Sequence, residues 1–424
     1  MTDHWRRAEN IVSRIDQLAA ISEDPSYITR RYGTDAAVKA GNMVLEWMRI
    51  AGLQARVDAI GNIRGRWLSD DINARTLVIA SHIDTVVNAG RWDGPLGVLV
   101  GLDLLECIIS TGMKLPFHIE LIAFSDEEGV RFHTTYLGSK VVTGSFEREL
   151  LDRRDAEGVR LSDAVRAIGG DPSGLGGEGI PAGQWLGYFE IHIEQGPVLY
   201  EKNIPVAPVK AIAGQVRAEV IFKGMAGHAG TVPMDQRQDA LCGAAEFILA
   251  AETLAGGGGS ISVASDSGLV ATVGKLQIVN AASNVIPGEV VCSVDIRGGD
   301  ESVLSRGHEK LRLLSENIGL RRGLDVEWKV VQVSSPVECD VSMTALLGRC
   351  VAAAGYEVLE LVSGAGHDAV PVSAVSPVCM LFVRCYKGIS HNPQENVEMG
   401  DLAATLMVGD KFIHQLSEIW KYPH

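Results

Sequence analysis

The chain has 424 residues, enough for two domains at roughly 100–200 residues each. With 46% hydrophobic and 21% charged residues it has ordinary globular composition, which excludes a disordered chain. A formal net charge of -15 argues against nucleic-acid or anionic-membrane partners, which select for basic surfaces.

The N-terminal MTDHWRRAENIVSRIDQL has no apolar core and no small-residue cleavage pattern, so no secretory signal is expected. No run approaches the ~18 apolar residues of a membrane span. LVIASHID (77–84) is short, β-branched and bounded by charged turns, which predicts a buried strand. DGPLGVLVGLDLLECII follows, with Asp93 the expected N-cap of a buried helix. PFHIELIAFSDEEG (116–129) and GYFEIHIEQG (187–196) predict two more buried strands. Strand, helix, strand with polar groups at the strand ends is the pattern of an open α/β sheet, which binds ligands outside the carboxyl ends of its strands.

The pattern then changes. GQVRAEVIFKG predicts a strand, PMDQRQDALCGAAEFILAAETLA a helix, TVGKLQIV and EVVCSVDIRG a strand pair, VLSRGHEKLRLLSENIG a helix and LDVEWKVVQV a strand. That β-α-β-β-α-β order is a recognised compact unit. Because SPVCMLFVRC (376–385) resumes the buried-strand style, residues 213–328 are expected as an insert between 1–212 and 329–424 of an α/β domain. The Gly256–Gly259 run reads as a surface loop within the insert. Seven cysteines, odd in number and without a C-x-x-C pair, fit a reduced, cytoplasmic compartment.

Several strand ends carry metal-competent residues. His82 and Asp84 are two apart, so on a strand they share a face, and a carboxylate often fixes the tautomer of a metal-binding imidazole. Asp93 can return to the same strand end, or merely cap its helix. Asp126, Glu127 and Glu128 repel one another and call for a cation or a special role; on extended backbone one can hold metal while its neighbour serves as a base. The alternative is a solvated acidic loop. His192 and His391 each follow a β-like run. Two His, one Asp and one Glu, with a spare Glu alongside, form a mixed N,O set suited to Zn²⁺ or Mn²⁺.

The motifs SHIDTVVNAGRWDGPLGV, FSDEEGVRF, HIEQGP, AGHAGTVPM, SNVIPG, SGAGHDA and ISHNPQE resemble the hydantoinase/carbamoylase branch of the binuclear-zinc aminopeptidase/aminoacylase superfamily. They run in family order from about residue 78 to residue 396. HAGTVPM with RQDA, the SNVIPG turn and GISHNP are most similar to the allantoate amidohydrolase group. The resemblance implies an α/β fold, with a mixed sheet and helices on both faces (metal-dependent aminopeptidase-like), plus an inserted α+β lid and dimerisation domain. It implies two divalent ions per subunit: His82 and His192 on one ion each, Asp93 bridging, Glu128 and His391 completing the set. Asp84 would orient His82, and Glu127 would be the general base. A cis peptide after Asp93 is a family feature. The family's first glutamate is Asp126 here, a change expected to have no consequence.

On the substrate side the resemblance implies Gln195, Asn284, Arg297, Gly366 and His367 as contacts, with the Arg297 guanidinium suited to a carboxylate. His228 would donate to a tetrahedral oxyanion from a partner subunit, which implies a homodimer. Apart from the family, Arg297 could be a surface ion pair, Asn284 a turn former and His367 a helix-end residue. The implied reaction is hydrolysis of a ureido or carbamoyl group on a small carboxylate, with allantoate, N-carbamoyl-L-amino acids and ureidoglycolate as the substrates to separate. GAGHDA also matches G-x-G-x-x-A, but no βαβ unit or ribose-binding acid follows, and no G-x-S-x-G elbow supports a serine hydrolase.

Overall fold

The computed structural model describes residues 3–256 and 268–420. The chain divides into two compact units, residues 1–210, 339–361 and 367–424 in the first and residues 211–338 and 362–366 in the second. Of the expected Gly256–Gly259 loop, all but Gly256 lies outside the described residues. Among the described residues no helix is long and apolar enough to cross a membrane.

The first unit is built on a mixed sheet. Four adjacent strands, His118–Phe124, Thr76–His82, Trp185–Ile193 and Val378–Val383, run parallel. Antiparallel strands flank them, Ile63–Trp67 and Gln54–Val57 on one side and the strand beginning at Val206 on the other. The parallel strands are buried on both faces, which explains their near-continuous apolar sequences. Alternation still divides their side chains. Leu77, Ile79, Ile119, Leu121, Phe189, Ile191, Cys379 and Leu381 join one large apolar core with the helices Asp3–Ala19, Pro95–Thr111, Val341–Ala353 and Met399–Trp420. The opposite parity carries His82, Glu120, Glu190 and His192, so the chemistry lies on the other face.

The buried helix begins at Pro95, and its cap is Gly94 rather than Asp93. Proline needs no N–H partner at a helix start, and Gly94 (φ 84°) occupies the cap position without a side-chain cap. Asp93 is thereby released from the capping role expected of it. The Asp93–Gly94 peptide is trans, as are all peptides of the described residues, in contrast to the cis bond implied by the resemblance. Along this helix Gly97 passes so close to the sheet that a Cβ would lie 2.0 Å from the Ile191 carbonyl oxygen and 2.7 Å from the Ser81 Cβ. Helix propensity alone would make Gly97→Ala stabilising by about 1 kcal/mol. The contact with strand backbone reverses the sign, and a net loss of about 1–3 kcal/mol is expected in denaturant unfolding.

The second unit is a four-stranded antiparallel sheet, in the order Asp325–Ser334, Gly214–Lys223, Glu289–Gly298, Val270–Ile278. Val216, Ala218, Val220 and Phe222, with Val290, Cys292, Val294 and Ile296, face the helices Ala240–Ala255 and Glu301–Arg322 and form a separate core. Asp239 and Asp300 cap these helices. The first helix begins at Ala240, later than PMDQRQD suggested, because Arg237 is engaged with the carbonyls of Ala229 and Val232 in an irregular loop. The strand Asp325–Ser334 passes straight through residue 328, so the unit continues to Glu338.

Candidate metal centre

The four parallel strands end side by side, and each delivers part of the site. His82 closes its strand, and Asp126–Glu128 follow Phe124. His192 stands one residue before the end of the third strand, and the fourth leads into the loop that carries His391.

Asp93 is the meeting point. Its Oδ1 lies 3.1 Å from His192 Nε2 and 3.8 Å from His82 Nε2. Its Oδ2 lies 3.1 Å from His391 Nε2, which is 3.4 Å from Glu128 Oε1. Three donor groups result: His82, Asp93 and His192; Asp93, Glu128 and His391; and His82, Glu127 and Glu128. Within each, the ligand atoms lie within 4.8 Å of one another. His82 and His192 thus both face Asp93 Oδ1, whereas the resemblance places them on one ion each. The cause is strand register: both imidazoles sit at the same level of neighbouring parallel strands, their rings 5.7 Å apart and stacked.

Hydrogen bonds behind the imidazoles set their direction. His192 Nδ1 is 2.9 Å from the Ile193 carbonyl oxygen, and His82 Nδ1 is 3.1 Å from that of Asp84. With Nδ1 turned to these carbonyls, Nε2 is the ring nitrogen that faces Asp93 and would be offered to a cation. The Asp84 carboxylate stands 3.5 Å from His82 Nδ1 and also accepts the backbone N–H groups of Glu127 and Glu128, tying the acidic loop to the His82 strand.

The electrostatics fit divalent cations. No lysine or arginine of the described residues forms an ion pair with Asp93, Glu127 or Glu128. Burial pushes Glu127 well above the usual carboxylate range; His82 opposes this, while Glu128, Asp368 and Asp84 add to it. Burial and Asp93 raise Glu128 to about 7, against the pull of His82 and His391. Burial disfavours protonated His82, but Asp84, Glu127 and Asp93 outweigh it and hold the imidazole well above its ordinary value. His391 is raised to about 9, chiefly by its hydrogen bond to Asp93. Buried carboxylates without a lysine or arginine partner among the described residues, with three imidazoles aimed at them, have the donor chemistry of a divalent-metal site.

Three residues around the centre adopt left-handed backbone: Asp126 (φ 53°), Gln195 (φ 58°) and His391 (φ 54°). Such conformations cluster at functional sites, and Asp tolerates them better than longer side chains. The buried Oδ2 of Asp126 has no hydrogen-bond partner among the described residues.

Gln195 donates its amide to Asp93 Oδ2 at 2.9 Å, so it joins the centre directly. His367 is buried edge-on to His192, with ring centroids 4.6 Å apart, and burial together with His192 holds it well below its ordinary value. The remaining expected substrate contacts belong to the second unit. His228 pairs across a short ladder with Val285, and its Nδ1 accepts the Gly230 N–H at 3.0 Å. The main-chain carbonyl of Asn284 accepts the Ala229 N–H. Arg297 is held by Asp295 and by the Gly364 carbonyl, two residues from Gly366.

Several residues of the centre went unassigned in the sequence. Glu190 precedes His192 by two on the alternating strand, a same-face signal in GYFEIHIEQG; its Oε2 accepts from Tyr188 and from the Ala369 N–H. Asp368 accepts from Ser139. Ser390 and Glu395 lie within ISHNPQE, and both bond to the Asp93 segment.

Comparison with known proteins agrees with this architecture. Residues 78–415 match the description "Peptidase family M20/M25/M40". A probable allantoate deiminase of Oryza sativa subsp. japonica is 38% identical over 96% of this chain and 88% of its own length. An N-carbamoyl-L-amino acid amidohydrolase of Geobacillus stearothermophilus is 34% identical over 97% of this chain and 99% of its own. A crystal structure of a hydantoinase/carbamoylase family amidase from Burkholderia multivorans superposes with a TM-score of 0.88 at 30% identity, covering 98% of both chains. Matched through every motif that supplies the site and nearly end to end by these relatives, the chain belongs to peptidase family M20/M25/M40 and is one of its hydrolases.

Proposed function

We propose that this chain is a two-metal amidohydrolase that removes the ureido or carbamoyl group of a small carboxylate, with allantoate as its substrate. The observation that carries the reading is the shared Asp93 carboxylate, with imidazoles on both of its oxygens and a buried Glu127 alongside. His82, Asp93 and His192 would hold one divalent ion, and Asp93, Glu128 and His391 the other, as Zn²⁺ or Mn²⁺. Bound there, such ions lower the pKa of water toward ~7 and polarise a carbonyl.

The chain's own groups then have defined work. The Glu127 carboxylate takes the proton of the attacking water and returns it to the departing nitrogen, a role that suits a carboxyl raised by burial. Asp84 holds His82 and the Glu127 backbone in place. Arg297 would pair with the substrate carboxylate, Gln195, Asn284, Gly366 and His367 would read its remaining polar atoms, and His228 from a partner subunit would donate to the oxyanion. Hydrolysis releases ammonia and leaves a carbamate, which loses carbon dioxide to give the freed amine. In this reading the second unit serves as lid and dimerisation element of a homodimer, and the seven free cysteines support a cytoplasmic setting.

Ammonia release from metal-loaded protein tests the proposal, with allantoate, ureidoglycolate and several N-carbamoyl-L-amino acids compared by kcat/KM. Allantoate is expected to lead. A preference above about tenfold, roughly 1.4 kcal/mol of transition-state binding, for the carbamoyl amino acids would reassign the substrate and keep the reaction class. No ammonia from any of them would end the class as well.

A further inference from the structure

We infer that Glu395, acting with Ser390, is a positioning residue that fixes the orientation of the Asp93 carboxylate between its two donor groups. Glu395 is only 4% exposed. Its Oε1 accepts two consecutive backbone N–H groups, Trp92 at 2.7 Å and Asp93 at 3.0 Å. Its Oε2 faces the Ser390 hydroxyl at 3.1 Å, and that same hydroxyl stands 2.9 Å from Asp93 Oδ2. Glu395 therefore holds the main chain of Asp93, and the Ser390 hydroxyl, with one proton for two carboxylates, stands between Glu395 Oε2 and Asp93 Oδ2.

The fit is tight from the other side too. A Cβ at Gly90 would lie within 2.4 Å of Glu395 side-chain atoms, so the residue beside the clamp must be glycine for Glu395 to come this close. The two segments joined are those that carry Asp93 and His391, more than 290 residues apart in sequence. Without the clamp, the main chain at Asp93 would lose the acceptor of both N–H groups and run straight into Gly94, the least restrained residue type available. Among the described residues only Gln195 would still donate to the carboxylate from this side of the site. Among the described residues Glu395 makes no hydrogen bond to a candidate ligand atom; it reaches Asp93 through the peptide N–H groups and Ser390.

The inference rests on the metal reading above, and the test keeps the two apart. Full-length protein stripped of metal is titrated with Zn²⁺ in competition with a chromophoric chelator, and thermal unfolding of the metal-free protein is followed in parallel. Wild type should bind two ions; failure to bind any would defeat the metal reading itself. Glu395→Ala should bind about 10–100-fold more weakly, the range typical for partners that orient metal ligands. Glu395→Gln keeps the Oε1 acceptor for both N–H groups and should recover most of that loss. Ser390→Ala, which leaves the main-chain clamp intact, should weaken mainly the ion on the Oδ2 side, by about tenfold, and carries the test if Glu395→Ala does not fold. Wild-type affinity in Ser390→Ala and Glu395→Ala, with only the unfolding temperature lowered, would overturn the inference by showing a merely structural role. Equal losses in Glu395→Ala and Glu395→Gln would overturn it too, because charge and not geometry would then be responsible.

Discussion

Glu127→Gln is expected to lower kcat for ammonia release by about 10²–10⁴-fold while leaving metal content and fold intact. The amide preserves the shape of the side chain but can neither accept a proton from water nor return one to the leaving nitrogen. Glu127 is suited to that exchange because burial, with Glu128, Asp368 and Asp84 nearby, raises its affinity for a proton above that of a solvated carboxyl. Its backbone N–H remains bonded to Asp84 whichever side chain is present, so the loop should keep its place. Metal analysis together with steady-state kinetics checks the expectation. A variant that turns over within tenfold of wild type would remove Glu127 from the proton-transfer role. A variant that loses its metal would instead assign it a ligand's part, which its proximity to His82 and Glu128 also permits geometrically.

How much of this was visible in the sequence depends on the distance over which each feature is determined. The parallel strands were legible because LVIASH, HIELIAF and VCMLFV are apolar over their whole buried length and stop where polar residues begin. The β-α-β-β-α-β order of the second unit was legible from local periodicity. Asp93 as a helix cap was the natural local reading, and it failed because Gly94 takes the cap position ahead of Pro95, one residue onward. That displacement is what frees the carboxylate for the imidazoles. The start of the helix at Ala240 was hidden for a similar reason, since Arg237 satisfies carbonyls of a loop that periodicity cannot recognise.

Pairings across the fold were beyond reach. Nothing in HIEQGP or SHID says that His192 and His82 meet the same oxygen of Asp93; that follows from the parallel register of their strands. Glu395 sat in a quoted motif without a role because its partners, the N–H groups of Trp92 and Asp93, lie about 300 positions earlier and carry no side-chain signature. Glu190 is the exception. Its i, i+2 relation to His192 placed it on the chemical face, and the alternation of GYFEIHI could have exposed it.

Asp93→Ala should have the largest effect of any single substitution, abolishing detectable ammonia release and weakening binding of both ions by more than about 10²-fold. The reason is topological. Two of the three donor groups contain Asp93, and they are the two that use different oxygens of it. The remaining imidazoles and Glu128 would still point inward, yet each candidate ion would keep only two protein ligands instead of three. His391→Ala provides the contrast, because His391 belongs to one group alone and its loss should empty one position while the other retains its ion. Metal analysis after dialysis distinguishes the cases directly, one ion retained per His391→Ala subunit and none per Asp93→Ala subunit. If Asp93→Ala kept both ions, the carboxylate could not be the shared ligand, and the assignment of two cations to one bridging residue would fall. If His391→Ala lost both, the two positions would be cooperative, and the division of the site by Asp93 oxygen would have to give way to a single interdependent cluster.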